Sequence, residues 1–135
     1  MSISGGDVYV YVTGDGLDSN SSSNYSSIIF DGANIVVVCN SKMNSSIDTE
    51  RGYAYKSGNV LAVMNSDGMS NGATHCNNFN SIGTSKRMSL TSGNYLIVKV
   101  DNNVKISTKM PCGLNAMVVY LGCNNAKFST SKTNE

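Results

Sequence analysis

Acidic side chains recur in three turn-like segments of the sequence, and repeated carboxylates are candidate metal ligands. The segments are residues 14–20 (GDGLDSN), 44–50 (NSSIDTE) and 65–70 (NSDGMS). Carboxylate and carbonyl oxygens are the hard ligands of Ca²⁺, which takes about six to eight of them in irregular geometry. The expected calcium ligands are therefore Asp15, Asp18, Asp48, Glu50 and Asp67.

The same segments also have a purely structural explanation. Asp, Asn and Gly suit tight corners because their side chains cap backbone groups or tolerate positive φ. If Leu17, Ile47 and Met69 stack inside successive coils, however, Asp18 and Asp48 fall one rung apart, at about 5 Å. Like charges at that distance repel unless a cation, a basic group or a proton intervenes. Both explanations stay open for the turns, and the Asp18/Asp48 pair distinguishes them best.

The elements that must position these acids form a repeat of about 26 residues. The three copies are residues 3–12, 30–39 and 55–64. Each copy has an apolar residue, a small-residue corner, a polar residue and an alternating strand. The corner residues Gly6, Ala33 and Gly58 are 27 and 25 residues apart. Such a period predicts an all-β fold, a short right-handed parallel β-helix of about three coils with a β-rich C-terminal cap.

Stacking of the three copies predicts which side chains point inward. The expected inner columns are Val8/Ile35/Val60, Val10/Val37/Ala62 and Ile3/Phe30/Tyr55. Alternation sends the other strand residues outward into an apolar face, which a soluble domain must cover or use. This face is therefore either packed under the C-terminal strands or a platform for sugar rings or a protein partner. Its residues are Tyr9, Tyr11, Val36, Val38, Leu61 and Val63.

The length of 135 residues indicates one domain. We divide it into coils over residues 1–70, a loop over 71–85, C-terminal strands over 86–128 and a tail over 129–135. The strands of the last part are expected at residues 94–100, 104–107 and 116–121, with a tight turn at 101–103.

Charge and motif content exclude several classes of function. The net charge is +1 with no basic stripe, so nucleic acid is not an expected partner. No apolar run approaches the roughly 18 residues that a membrane span needs. The single histidine, His75, lies in an Asn-rich loop without a plausible Ser or Cys partner nearby in sequence, so no catalytic triad is predicted. A lyase would need a base near the acids, and Lys42, Arg51 and Lys56 are more simply surface charges. We expect no enzymatic activity.

The cysteines and glycosylation motifs indicate an extracellular protein. The four cysteines lack metal-site spacing, so we expect disulfides, with buried free thiols as the alternative. Proximity in the sequence favours the pairs Cys39–Cys76 and Cys112–Cys123. Sequons for N-glycosylation occur in expected turns at Asn20, Asn24 and Asn44. With no secretion signal at the N-terminus, these features suggest a module of a larger secreted protein.

The order of the segments GGDVYV, GDGLDSN, SID, SGNV and DGM is similar to that in a family of extracellular β-helix proteins. That family resembles polysaccharide lyases and is known from clostridial secreted proteins as a calcium-binding, carbohydrate-binding domain. The resemblance covers about residues 3–70. It implies a right-handed parallel β-helix, Ca²⁺ bound by the motif acids Asp15, Asp18 and Asp48, and binding without cleavage to cellulose- or pectin-like polysaccharide.

A second hypothesis belongs to a different functional class. The chain would be a protein-binding module, such as a cohesin-like repeat of a scaffoldin, that docks dockerin-bearing enzymes in a fungal cellulosome. The Asn- and Ser-rich composition, the cysteines and the sequons suit such a host. The apolar outer columns would then form the docking surface. Neither hypothesis involves nucleic acid or a membrane.

Overall fold

A computed structural model describes residues 1–19, 28–65 and 72–135 and shows an all-β chain. The one helix within these described residues, α1, is the single turn Phe79–Ile82. The strands of the first half are β1 (Ser2–Ile3), β2 (Asp7–Val12), β3 (Leu17–Ser19), β4 (Ile29–Cys39), β5 (Ile47–Thr49) and β6 (Ala54–Met64). Those of the second half are β7 (Gly83–Leu90), β8 (Tyr95–Val100), β9 (Asn103–Lys109), β10 (Leu114–Leu121) and β11 (Lys127–Ser131).

The three sequence copies pair as parallel strands in the predicted register. Strand β2 pairs with β4, and β4 pairs with β6, so that Val8, Ile35 and Val60 lie opposite one another. The short β1 pairs with the start of β4, which places Ile3 opposite Phe30. The predicted columns are therefore confirmed. Glycine at the corner of the third copy is required, because Gly58 has φ of +102° and a Cβ there would lie 2.4 Å from the Ala33 carbonyl oxygen.

The main sheet is mixed rather than purely parallel. Strand β10 pairs antiparallel with β6, and β7 pairs antiparallel with β10, giving the order β1-β4-β6-β10-β7 with β2 also on β4. The expectation that all C-terminal strands form a separate cap is therefore wrong for β7 and β10. These two strands continue the sheet because the free edge of β6 offers unpaired backbone groups that an antiparallel strand satisfies.

A second sheet of order β11-β8-β9 covers one face of the main sheet. Its strands are antiparallel, and β8 and β9 are joined by Asp101 and Asn102, which have φ of 51° and 65°. This confirms the tight turn expected there. The sheet buries Val38, Leu61 and Val63 in a common core with Leu96 and other apolar side chains. The opposite face carries the other core, to which the inner columns contribute.

The remaining expectations about the second half need correction. The loop expected over residues 71–85 contains α1 and the first residues of β7, and the expected tail over 129–135 begins inside β11. The four cysteines are free thiols, so the predicted disulfides are wrong. The buried thiols each donate to an oxygen instead, Cys39 to the Gly14 carbonyl at 3.1 Å and Cys76 to Asn78 Oδ1 at 3.5 Å.

Candidate functional site

Two three-residue strands bring the predicted acids together. Strands β3 and β5 pair in parallel, with Leu17 opposite Ile47 and Asp18 opposite Asp48. Both apolar residues of this pair are buried in the core. Because side chains alternate along a strand, burying Leu17 and Ile47 sends both carboxylates to the other face. The predicted one-rung spacing of Asp18 and Asp48 is therefore confirmed.

The loop before β3 adds a third carboxylate. Asp15 Oδ1 accepts a hydrogen bond of 3.0 Å from the Ser45 backbone N–H. The adjoining Gly16 and Leu17 donate backbone hydrogen bonds of 3.1 and 2.8 Å to the Ser45 and Ser46 carbonyls. This approach requires glycine, since a Cβ on Gly16 would lie 2.4 Å from the Ser46 oxygen. The loop is thereby fastened to the next rung, with Asp15 beside the other two acids.

The three carboxylates form a compact acidic cluster, which we define as Asp15, Asp18 and Asp48. One oxygen of each lies within 4.8 Å of the others, with Asp18 exposed and the other two half-buried. Burial, a hydrogen bond with the Asp15 carboxyl group and the negative charges of Asp15 and Asp18 raise the pKa of Asp48 to about 6. At neutral pH Asp48 is therefore mostly ionised beside two further carboxyl groups, and in mildly acidic solution it holds a proton.

The carboxylate oxygens of the acidic cluster are ligands that fit a hard cation. In the part of the chain that the structure describes, the one ion pair is Lys99–Glu135, so no lysine or arginine there neutralises the cluster. Lys42, Arg51 and Lys56 are all exposed, consistent with surface charges. Ca²⁺ takes about six to eight oxygen ligands from carboxylates, carbonyls and water, so three carboxylates match part of such a shell.

Of the two other predicted calcium ligands, the structure describes Glu50 alone. Glu50 is exposed and is not part of the acidic cluster, although its backbone N–H donates to the Ser19 carbonyl at 3.3 Å. Strand β5 ends at Thr49, so the Glu50 side chain no longer follows the alternation that aligns Asp48. Asp67 lies outside the described residues.

The predicted ligand-binding face is only partly accessible. Tyr9 and Tyr11 are 52% and 43% exposed. Val38, Leu61 and Val63 have 0% exposure because the second sheet covers them, so their prediction as contact residues is wrong. Val36 is half-buried at the boundary. The accessible part is thus confined to the edge formed by β2.

At this edge an open groove lies between the main sheet and β9. Its volume is about 350 Å³. The Tyr9 ring and Val36 provide apolar surface, and the polar side chains of the wall belong to Asp7, Asn34, Lys105 and Ser107. We call this the Tyr9 groove. Asp7 and Asn34 occupy the same position in two sequence copies, so the repeat itself could have identified them. The contribution of β9 has no such signal, because it depends on how the second sheet docks.

The structure describes His75 and one of the three glycosylation motifs. The His75 backbone N–H donates to the Gly72 carbonyl at 3.0 Å, and the His75 carbonyl accepts from the Tyr53 N–H at 3.1 Å. Asn44 is half-buried, and its Nδ2 donates to Ser41 Oγ at 3.0 Å. Asn20 and Asn24 fall in the part that the structure leaves undescribed.

No protein-family model, curated protein or solved structure matches this chain. Across residues 1–19, 28–65 and 72–135, no helix has the length and apolar character needed to cross a membrane.

Proposed function

We propose that the chain is a non-catalytic, extracellular carbohydrate-binding module that recognises plant cell-wall polysaccharide with the help of Ca²⁺. The observation that carries this proposal is the Tyr9 groove. An exposed aromatic ring there adjoins a carboxylate, an amide, an ammonium and a hydroxyl group. Sugar rings present an apolar face that stacks on aromatic side chains and hydroxyls that need such polar partners.

The shape of the groove suits a chain rather than a single enclosed sugar. It is open to solvent along the edge of the main sheet, and its walls come from β2, β4 and β9. A polysaccharide needs such an open path because its flanking residues must leave on both sides. The Lys105 ammonium adds affinity for the carboxylates of a pectin-like chain.

Calcium is proposed to stabilise the turns of the module through the acidic cluster. A cation held by Asp15, Asp18 and Asp48 would join the loop before β3 to β3 and β5. The ion would then make the turns that adjoin the main sheet more rigid. Rigidity favours binding because the protein loses less conformational entropy when the ligand binds.

The parallel part of the chain is proposed to be a short right-handed β-helix. The support is that two sets of parallel strands follow the repeat, β2/β4/β6 on one side and β3/β5 on another. In a β-helix each coil contributes one strand to each side, so equivalent strands pair with the next coil. Right-handedness is the general rule for such parallel connections.

The cohesin-like alternative is less well supported. Docking on the outer columns would need an exposed apolar face, but the second sheet covers most of it. Tyr9 and Tyr11 remain exposed, and Tyr9 lines the Tyr9 groove, which favours the carbohydrate proposal over docking on a flat apolar face.

A pull-down tests the carbohydrate proposal. We expect retention on cellulose or polygalacturonate in Ca²⁺-containing buffer, and loss of about tenfold in affinity for Tyr9→Ala because one stacked ring is worth about 1–1.5 kcal/mol. Met43→Ala is the matched control, since Met43 is an exposed apolar residue that does not line the groove. Failure of the wild type to bind either polymer, or equal binding by both variants, would rule the proposal out.

A further inference from the structure

Strand β2 lies at an edge of the main sheet formed by the described residues. Among the strand pairings of the described residues, β2 has β4 as its single neighbour. The Gly6 and Val12 carbonyls accept from the next copy at Asn34 and Asn40. In a parallel strand, the N–H and C=O of one residue point to the same side, and the side alternates along the chain. The backbone groups of Asp7, Tyr9 and Tyr11 therefore point away from β4.

A ladder of side-chain hydrogen bonds ends at this edge with an unused acceptor. Asn59 Nδ2 donates to Asn34 Oδ1 at 2.9 Å, and Asn34 Nδ2 donates to Asp7 Oδ1 at 3.0 Å. At the other end of the ladder, the Tyr120 hydroxyl donates to Asn59 Oδ1. Every amide in the ladder thus donates toward β2. Asp7 is acceptor-only when ionised, so the next member beyond it must be a donor.

The burial of the inner columns also indicates that β2 can accept a further strand. Val8, Val10 and Val12 are half-buried, whereas their partners in β4 are completely buried. The difference arises because β4 has a strand on each side and β2 has one on only one side. A further parallel strand beside β2 would bury Val8, Val10 and Val12, just as β2 helps to bury their partners in β4.

We propose that the free edge of β2 binds an extended polypeptide segment of another protein, added as a parallel strand with a donor side chain opposite Asp7. The partner's pattern follows from the existing rungs: a small corner residue, then Asn or another donor, then apolar residues opposite Val8 and Val10. Main-chain hydrogen bonds provide affinity in this mode, and the side-chain positions provide specificity.

A second copy of the chain fits this edge less well. Head-to-tail stacking would place β2 of one copy on β6 of the next, but β10 already occupies that edge of β6. Pairing of two β2 strands about a two-fold axis would be antiparallel and would not extend the amide ladder. A strand from a different protein meets both requirements.

The chain itself supplies a probe for this site. A fluorescent, end-capped peptide of the sequence KSGNVLAV, residues 56–63, carries the asparagine that donates to Asn34 within the protein. In the same register its asparagine lies opposite Asp7. A second peptide, with Asp in place of that asparagine, would set a carboxylate against Asp7. We expect the first peptide to bind and the second to bind at least about tenfold more weakly, measured by fluorescence anisotropy.

Two protein variants make the test specific. Asp7→Asn supplies a donor at the end of the ladder, so it should restore binding of the Asp-containing peptide. Tyr11→Pro removes an outward N–H without breaking a bond to β4 and should weaken the first peptide about tenfold relative to Tyr11→Ala. Absence of binding at millimolar peptide, equal binding of both peptides to the wild type, or no recovery with Asp7→Asn would overturn the proposal. The glycan pull-down is made with the wild type and without peptide, so its result is read separately even though Asp7 also lines the Tyr9 groove.

Discussion

Replacing Asp48 with asparagine should stabilise the metal-free protein at neutral pH. In the folded chain the pKa of Asp48 is raised from 3.8 to about 6 by burial and by the neighbouring Asp15 and Asp18. Between about pH 4 and pH 6, folded Asp48 therefore keeps a proton that the unfolded chain has released. Stability is lost as the pH rises through this window, because the unfolded state binds fewer protons there.

The size of this loss follows from the shift. Two pKa units correspond to about 3 kcal/mol, which is the upper limit. The acidic cluster is open to solvent on the side of the exposed Asp18, so screening reduces the loss to about 1–2 kcal/mol. For a chain of this length that corresponds to a change of about 5 °C in Tm. Asparagine keeps the shape of the side chain and a hydrogen bond to Asp15 but adds no charge.

Thermal unfolding in EDTA at pH 4.5 and pH 7.5 measures this effect. The Asp48→Asn variant should melt about 5 °C above the wild type at pH 7.5, and the difference should shrink at pH 4.5. Asp101→Asn is the control, because Asp101 is exposed in a turn with φ of 51°, which asparagine tolerates. A variant that melts at or below the wild type at pH 7.5 would refute the argument from charge repulsion.

Two further predictions concern the acids and the thiols. Asp18→Ala should weaken Ca²⁺ binding more than Asp67→Ala, because Asp18 belongs to the acidic cluster; equal losses in a calcium titration would mean that the cluster is not the site. A thiol reagent added to the folded protein should leave the buried Cys39 and Cys76 unmodified and react with all four cysteines after denaturation, and fewer than four reactive thiols in the unfolded, unreduced protein would contradict the free-thiol assignment.

The sequence predicted the parallel register because both the alternating strands and the acidic turns recur along the chain. The strand copies align Val8 with Ile35 at an offset of 27 residues, whereas the acidic turns align Asp18 with Asp48 at an offset of 30, so the strands and the turns had to be aligned separately. The ladder through Asn34 was missed, although the polar position before each strand belongs to the same repeat. The role of this polar position depends on hydrogen bonds between side chains of neighbouring strands, and a pattern of apolar residues does not reveal such bonds.

The arrangement of the second half was less predictable. The strand character of β10 is evident from its apolar residues, but its pairing with β6 depends on which sheet edge is free after the parallel strands have formed. The same choice determines that β8 and β9, rather than β10, cover Leu61 and Val63. Long-range pairing of this kind leaves no local signal in a single sequence.

Isothermal titration with Ca²⁺ at pH 7.5 tests the central claim most directly, because it asks whether the acids aligned by β3 and β5 hold a cation. We expect one ion per chain for the wild type, no measurable binding for Asp48→Asn, and an apparent affinity about tenfold weaker at pH 5, where Asp48 is mostly protonated. Absence of heat at millimolar Ca²⁺, or binding that is unchanged in Asp48→Asn, would contradict the account.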